Sequence, residues 1–214
     1  ERTYVSTPDN PQQVTDVEQL ETVVDTDFHI TEKEDDFLPY LEGPFKKVLQ
    51  RGSEIDQGLF DQINSLYPSA GLFTPVTTGK VQPESVTSKE DVREGMELLG
   101  DDRVIVTPTL NLYLGCVGHD DLADALARAY NEWILDKIVD VDKGIYAAAV
   151  ASPHHPENAA EEIDDRADEP GIVGAFLPSG GNIPLLGNEK YHPLYDACQE
   201  NDLPVMMHNA SGNM

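Results

Sequence analysis

Short continuous runs of apolar residues recur through the second half of the chain, and stretches with helical spacing separate them. Continuous runs, rather than alternating ones, are typical of strands buried on both faces, as in a parallel sheet. The predicted strands cover residues 103–110, 146–151, 172–177 and 203–207. The predicted helices between them cover residues 120–139, 156–167 and 193–201. This alternation predicts right-handed strand–helix–strand units.

The first half of the chain carries one strand and a less regular region. Val23 and Val24 begin a predicted strand over residues 23–27. Residues 33–100 are rich in loops and interrupted by prolines, so we expect an insertion that serves as a lid or a subunit contact. We place this insertion within a single barrel domain over residues 1–214. An insertion of this kind could also form the interface of a homodimer. Helical patterns occur at residues 15–20, 45–50, 59–66 and 88–99.

The sequence predicts a cap for one helix and the apolar face of two. Ser88 followed by Asp91 predicts a capping box at the start of the helix at 88–99. Its predicted apolar face consists of Val92, Met96 and Leu99. The inner face predicted for the helix at 120–139 consists of Leu122, Ala125, Leu126, Ala129, Tyr130, Trp133 and Ile134.

Five parallel strands can form an open doubly wound sheet or the first part of an eight-stranded barrel. No Gly-x-Gly-x-x-Gly follows any predicted strand, so a dinucleotide-binding sheet lacks its main signature. Candidate polar residues instead stand at the carboxyl ends of strands, where barrel enzymes carry their chemistry. We therefore predict an α/β fold of the (β/α)8 TIM-barrel type that stops after its fifth strand.

The charge of the chain changes the list of partners. Its formal net charge is -26, from 40 acidic and 14 basic residues. Such a charge repels nucleic-acid phosphates and anionic membranes, so we expect neither as a partner. The acidic residues are spread over loops and helix faces, a pattern typical of halophilic proteins.

The expected compartment is the cytoplasm. Cys116 and Cys198 are the only cysteines and have no metal-type spacing, which favours reduced thiols over a disulfide framework. The first residues are polar, unlike a signal peptide, and no apolar segment approaches membrane-spanning length.

Candidate metal ligands stand at the ends of the first and fifth predicted strands. Asp27 and His29 are two residues apart, so on a strand their side chains point to the same side. His208 ends the fifth strand, and a barrel would bring its imidazole across the mouth towards them. A carboxylate and two imidazoles are suited to a divalent cation, so we predict that Asp27, His29 and His208 bind metal.

Further polar residues near these ends are candidates for supporting ligands or contacting substrate. They are Asp25, Glu32, Asn111, His154 and Asn209. Three of them also have a structural interpretation. Asp25 could cap a turn, Glu32 could be a solvated carboxylate, and His154 could be an ordinary loop residue.

Four segments together resemble a known family. Asp-Thr-Asp-Phe-His-Ile-Thr-Glu at 25–32 is similar to the opening motif of the amidohydrolase superfamily. Gly-Ile-Val-Gly-Ala-Phe-Leu at 171–177, Tyr-His-Pro-Leu-Tyr-Asp-Ala-Cys at 191–198 and Leu-Pro-Val-Met-Met-His at 203–208 continue the similarity. The order resembles the amidohydrolase-related branch with aminocarboxymuconate-semialdehyde decarboxylase and the hydroxybenzoate decarboxylases.

The resemblance implies a ligand set and a partial barrel. The family's strand-one ligand pair corresponds to Asp27 and His29, and its strand-five ligand to His208. An aspartate stands where the first histidine is usual. With this oxygen ligand, the set is as compatible with Mn²⁺ or Mg²⁺ as with Zn²⁺. The family's catalytic histidine on strand six and metal-binding aspartate on strand eight have no counterpart before Met214. We therefore expect a truncated barrel whose catalytic residues are unknown and whose turnover by itself is in question.

The activity implied is that of a metal-dependent hydrolase or a non-oxidative decarboxylase acting on a small carboxylic-acid or carbonyl substrate. The carboxylate in the strand-one pair favours decarboxylation of an aromatic or unsaturated acid. The alternative from another class is a non-catalytic halophilic α/β structural or binding protein, whose carboxylates only hold solvent and cations.

Overall fold

The structure, a computed structural model, describes residues 22–32, 34–47 and 86–209. Five parallel strands form one sheet in chain order. The strands are β1 (Val24–Ile30), β2 (Arg103–Pro108), β3 (Ile145–Val150), β4 (Ile172–Pro178) and β5 (Val205–His208). The helices are α1 (Lys89–Leu99), α2 (Asp120–Lys137), α3 (Pro156–Arg166) and α4 (His192–Glu200). Short 3-10 helices cover Glu34–Phe37, Leu110–Cys116, Val141–Lys143 and Glu189–Tyr191.

The sheet is the half-barrel that the sequence predicted. In a doubly wound sheet the strand order reverses at a switch point, whereas here each strand pairs with the next one in sequence. Side chains at the carboxyl ends of the two edge strands also meet: Nε2 of His29 and Nε2 of His208 are 3.3 Å apart. In a flat sheet the edge strands would be about 19 Å apart, so the sheet must curl.

The core lies between the sheet and its helices. The central strand β3 buries small side chains completely, and α2 packs against it. Leu126, Tyr130 and Ile134 follow four-residue spacing on α2 and have no exposed surface. Burial of each such side chain stabilises the fold by about 1.5–3 kcal/mol. Of the predicted inner face, Leu122 and Ala125 are only partly buried.

Helix α1 confirms the predicted cap and corrects one predicted core residue. The Ser88 hydroxyl accepts a hydrogen bond from the Asp91 N–H (3.1 Å), and the Asp91 carboxylate accepts one from the Ser88 N–H (2.9 Å). The prediction for Leu99 was wrong, because this side chain is 58% exposed. The buried face contains only Val92 and Met96, and the helix ends at Leu99 with Gly100 in the left-handed conformation.

Most predicted boundaries lie within two residues of the observed ones. Strand β1 is the largest exception, since it runs three residues beyond the predicted end at Asp27. Strand β2 stops at Pro108 instead of Leu110, because Leu110 begins a 3-10 helix. The helical patterns at 15–20 and 59–66 lie outside the described residues, and that at 45–50 is described, as helix, only to residue 47.

The insertion over residues 33–100 stays a prediction. Its middle, residues 48–85, lies outside the described part, and its last segment is α1. Among the described residues, no helix is both long enough and apolar enough to cross a bilayer.

Candidate metal centre

A bulge in β1 sets which of its side chains face the mouth of the half-barrel. Asp25 pairs with Val104, but the next paired residue, Phe28, faces Val106, so β1 carries one extra residue there. The Asp25 carboxylate accepts a hydrogen bond from the Asp27 N–H (2.8 Å) within this bulge. This contact agrees with the interpretation of Asp25 as a turn cap.

Beyond the bulge, apolar and polar side chains alternate. Phe28 and Ile30 are buried, and Phe28 packs on α1 at Gly95, where a Cβ atom would lie 2.6 Å from its ring. Side chains two apart share a side of a strand, so Asp27 and His29 lie on the opposite side from this helix layer. Strand β5 supplies His208 to the same place.

Three ligand atoms converge there. Oδ1 of Asp27 lies 3.4 Å from Nε2 of His29 and 3.3 Å from Nε2 of His208. The two Nε2 atoms are 3.3 Å apart. Ligands about 2.1 Å from an ion and separated by 90–109° are about 3.0–3.4 Å from each other. The observed spacing therefore fits a single divalent ion.

Hydrogen bonds on the far side of each ring determine where its proton is. Nδ1 of His29 lies 2.9 Å from the Pro108 carbonyl oxygen, and Nδ1 of His208 lies 2.8 Å from the Asn209 carbonyl oxygen. A carbonyl oxygen only accepts, so both Nδ1 atoms carry the proton. In a neutral ring this leaves a lone pair on Nε2, and both Nε2 atoms lie within 3.4 Å of the Asp27 carboxylate. Three electron-rich groups that converge in this way are suited to binding a cation.

The surroundings of the rings favour the neutral, metal-binding form of His29. Burial lowers the pKa of His29 below its usual value of 6.5, although the Asp27 carboxylate acts in the opposite direction. The His208 ring stacks on the buried Phe176 of β4, with centroids 5.8 Å apart, and meets the His29 ring edge-on. These contacts hold both imidazoles in fixed orientations.

Glu32 is not a solvated carboxylate. It is 1% exposed, and its two oxygens accept hydrogen bonds from the N–H groups of Thr109 and Asn111, both at 2.9 Å. Burial raises its pKa to about 7, while these N–H donors act to lower it. Asn111 lies in the 3-10 helix after β2 rather than in the strand, and its side chain is also 3.4 Å from Glu32.

The two remaining candidates are His154, which lies in a separate group of residues, and Asn209, which is next to His208 in the chain. His154 faces two acceptors, the Leu114 carbonyl at 3.2 Å and the Asp120 carboxylate at 3.1 Å. Asn209 is exposed directly after His208. Among the described residues, Asp27, His29 and His208 form the group whose geometry could hold a metal ion.

Sequence reasoning missed a second polar cluster beside His154. His155 lies 2.7 Å from the Asp124 carboxylate, which is 3% exposed and also accepts from Asn158. The hydrogen bond to Asp124 raises the pKa of His155 above 6.5. An aspartate inside an apolar helix pattern was the available signal, because such a residue needs a partner when it is buried.

Comparisons with known proteins agree with this fold. The sequence profile of the family described as Amidohydrolase matches residues 81–213, a segment that contains His208 but not Asp27 or His29. No curated protein matches the chain.

Solved structures with the same fold include three decarboxylases. 5-Carboxyvanillate decarboxylase from Novosphingobium aromaticivorans, in complex with manganese and 4-hydroxy-3-methoxy-5-nitrobenzoic acid, has a TM-score of 0.63 and 20% identity, over 90% of this chain and 51% of that one. 2,6-Dihydroxybenzoate decarboxylase from Rhizobium has a TM-score of 0.57 and 18% identity, over 88% and 50%. Dihydroxybenzoic acid decarboxylase from Polaromonas, with manganese and 2-nitroresorcinol, has a TM-score of 0.57 and 16% identity, over 89% and 50%. The chain thus spans about half the length of these proteins.

Proposed function

Because this chain belongs to the amidohydrolase family, we propose that it is part of a metal-dependent enzyme in which Asp27, His29 and His208 hold one divalent ion. The observation that carries the proposal is the convergence of their three ligand atoms within 4.8 Å of one another. Both imidazoles direct their Nδ1 protons away from that point, which leaves it lined by electron pairs. A carboxylate oxygen and two imidazole nitrogens arranged in this way are suited to binding a divalent cation.

The proposed ion is Mn²⁺, with Zn²⁺ and Mg²⁺ as alternatives. One carboxylate and two imidazoles suit all three, and the manganese in two proteins of the same fold favours the first. A bound divalent ion would polarise a substrate carboxylate or hydroxyl group, or activate water near neutral pH. The chain's own contribution is to fix the ligands and hold the His29 and His208 protons on Nδ1.

The proposed reaction is non-oxidative decarboxylation of a small aromatic or unsaturated acid. The similar structures carry decarboxylase names, and a carboxylate occupies the first ligand position. Hydrolysis is the second candidate, because the family that matches the sequence is described as an amidohydrolase family. We expect a small anionic or carbonyl substrate in both cases.

The other predicted substrate contacts are not equally placed. Asn209 is exposed next to His208, so we propose it as a group that contacts substrate. Asn111 and His154 already bond to Glu32 and to the Leu114 carbonyl, which favours a supporting role for both. A homodimer and a role of residues 33–100 as a lid remain predictions.

Metal analysis followed by a substrate panel tests the proposal. We expect the purified chain to bind close to one Mn²⁺ per protein by calorimetry, and His208→Ala to abolish this binding. The loaded protein is then incubated with hydroxybenzoates, scored by CO₂ release, and with amides and lactones, scored by hydrolysis. A chain that binds no divalent ion at this site would overturn the proposal and favour the non-catalytic alternative.

The panel separates the two reactions. Carbon dioxide release that depends on added Mn²⁺ supports the decarboxylase, and metal-dependent hydrolysis without CO₂ release replaces it with the second candidate. A matched control is His155→Ala, which removes a histidine from the other polar cluster and leaves the three ligands intact.

A further inference from the structure

One peptide group in the structure is hydrogen-bonded on both sides by residues from β1 and the segment directly after it. The peptide between Pro108 and Thr109 accepts a hydrogen bond through its carbonyl from Nδ1 of His29, at 2.9 Å. Its N–H group donates to Oε2 of Glu32, also at 2.9 Å. His29 and Glu32 are three residues apart, and no hydrogen bond joins them directly in the described structure.

The geometry of a peptide makes these two contacts dependent on each other. The C=O and N–H of one peptide lie in a common plane and point in opposite directions. A group that fixes the direction of the N–H therefore also fixes the direction of the C=O. Glu32 additionally accepts the N–H of Asn111 at 2.9 Å, so it restrains the turn that follows this peptide at a second point.

The free-energy cost of burying the Glu32 carboxylate indicates that its charge has a role beyond closing the turn. The side chain is 1% exposed, and its partners in the described structure include N–H groups of the turn after β2 and the Asn111 amide. A buried carboxylate is expensive unless it is well hydrogen-bonded. An ordinary polar residue could close the same turn at less cost, whereas a negative charge also strengthens the dipole of the peptide it contacts.

We propose that Glu32 is a positioning residue for the metal centre, acting through the Pro108–Thr109 peptide on His29. The carboxylate orients and polarises this peptide, and the peptide carbonyl holds the proton of His29 on Nδ1. The Nε2 lone pair of His29 is then aimed at the point it shares with Asp27 and His208. This inference rests on the proposed function only in that this point is a metal site.

The matched substitutions Glu32→Gln and Glu162→Gln test this relay from Glu32 through the Pro108–Thr109 peptide to His29. At pH 8, above the pKa of about 7 that burial gives Glu32, both remove the charge of a buried carboxylate. Glu162 is 6% exposed and accepts from Asn131 and Arg166. Glutamine has one acceptor oxygen, so in Glu32→Gln at least one of the two N–H groups loses its partner. We expect Mn²⁺ affinity, measured by calorimetry, to fall about 10–100-fold in Glu32→Gln and to stay unchanged in Glu162→Gln.

A spectroscopic readout separates positioning from general stability. In the metal-free protein, ¹⁵N chemical shifts of the His29 ring report the tautomer. We expect the Nδ1–H form in the wild type and in Glu162→Gln, and a mixture of tautomers in Glu32→Gln. A folded Glu32→Gln protein with wild-type Mn²⁺ affinity and an unchanged His29 tautomer would overturn the inference.

Two further outcomes remain decisive. If the wild type binds no Mn²⁺, the proposed function fails, but the tautomer in the metal-free protein still supports or overturns the relay. If Glu32→Gln does not fold, the wild type alone is sufficient. There, an Nε2–H tautomer of His29, or a rapidly exchanging Thr109 amide, would contradict the relay, while an Nδ1–H tautomer with a protected Thr109 amide supports it.

Discussion

Two clusters of histidine and aspartate stand at the carboxyl ends of the strands, and they use the same residue types in opposite ways. The first cluster consists of Asp27, His29 and His208, from β1 and β5. The second consists of Asp120, Asp124, His154 and His155, from the start of α2 and the loop after β3. Composition does not distinguish them.

The difference lies in the direction of the ring protons. In the first cluster both imidazoles donate outward to backbone carbonyls, so only acceptors meet in the middle. In the second, His155 faces the buried Asp124 carboxylate at 2.7 Å and His154 faces the Asp120 carboxylate at 3.1 Å. The second cluster therefore pairs each imidazole with a carboxylate, although Oδ1 of the buried Asp124 has no hydrogen-bond partner among the described residues, whereas the first has a geometry that could hold a cation. The carbonyls of Pro108 and Asn209 therefore favour the tautomers that leave Nε2 without a proton in the first cluster.

The largest expected effect comes from deleting one histidine in each cluster. His208→Ala removes one of three ligands, so we expect Mn²⁺ affinity to fall by more than about 100-fold, since even a supporting group is worth 10–100-fold. His155→Ala should leave the affinity unchanged. Isothermal titration calorimetry on both variants measures this contrast. Equal losses in the two proteins would mean that the clusters do not differ as described.

Glu32, which supports the first cluster, predicts a pH dependence. Its pKa is about 7 in the folded protein against an ordinary value of 4.5, so between these values the folded state binds more protons than the unfolded state. Stability then falls as pH rises through this window, by up to about 3 kcal/mol. Urea unfolding with a chelator at pH 5 and pH 8 should show this loss in the wild type relative to Glu32→Gln. A difference between the two proteins that does not vary with pH would contradict it.

Removing one charge from each cluster should affect stability unequally. Asp124 is 3% exposed and hydrogen-bonded to His155 and Asn158, so Asp124→Asn should lower the free energy of unfolding by about 1–3 kcal/mol. The Asp27 side chain is 60% exposed, and Asp27→Asn should leave the metal-free protein about as stable as the wild type. Denaturant unfolding without metal measures both. A larger loss in Asp27→Asn would reverse the assignment of the structural and the metal-binding cluster.

The smallest expected effect is a pair of histidine pKa shifts in opposite directions. The pKa of His29 is lowered, chiefly by burial, and that of His155 is raised, chiefly by its hydrogen bond to Asp124. NMR titration of the metal-free protein should place them below and above 6.5. The contribution of His155 to stability is present below 6.5 and is lost as pH rises through its folded pKa, while protonation of His29 costs stability on acidification. Asp124→Asn should bring the His155 pKa back towards 6.5 and leave that of His29 in place.

The strands and helices could be predicted because their signals are local. Continuous apolar runs mark β2 to β4, and Ser88 with Asp91 marks the start of α1. The three candidate ligands could be named because each stands at or near the carboxyl end of its strand, where a barrel collects its polar groups. Leu99 was misplaced because periodicity does not tell where a helix leaves the core.

Other features have no local signal. In a chain with 40 acidic residues, nothing near Glu32 distinguishes a buried carboxylate from a solvated one. The Pro108–Thr109 peptide acts through backbone atoms, which every residue carries. The pairing of His155 with Asp124 depends on two segments 31 residues apart.

The sequence by itself determined the order of strands and helices, the acidic surface and the residue types at the strand ends, because these depend on the spacing of side chains along the chain. The tertiary structure decided which of those side chains lose water and which oxygen each ring proton faces. Burial and hydrogen-bond direction arise from groups brought together across the sheet. For that reason the Asp27 carboxylate is exposed between two histidines, while the Asp124 carboxylate is buried against His155.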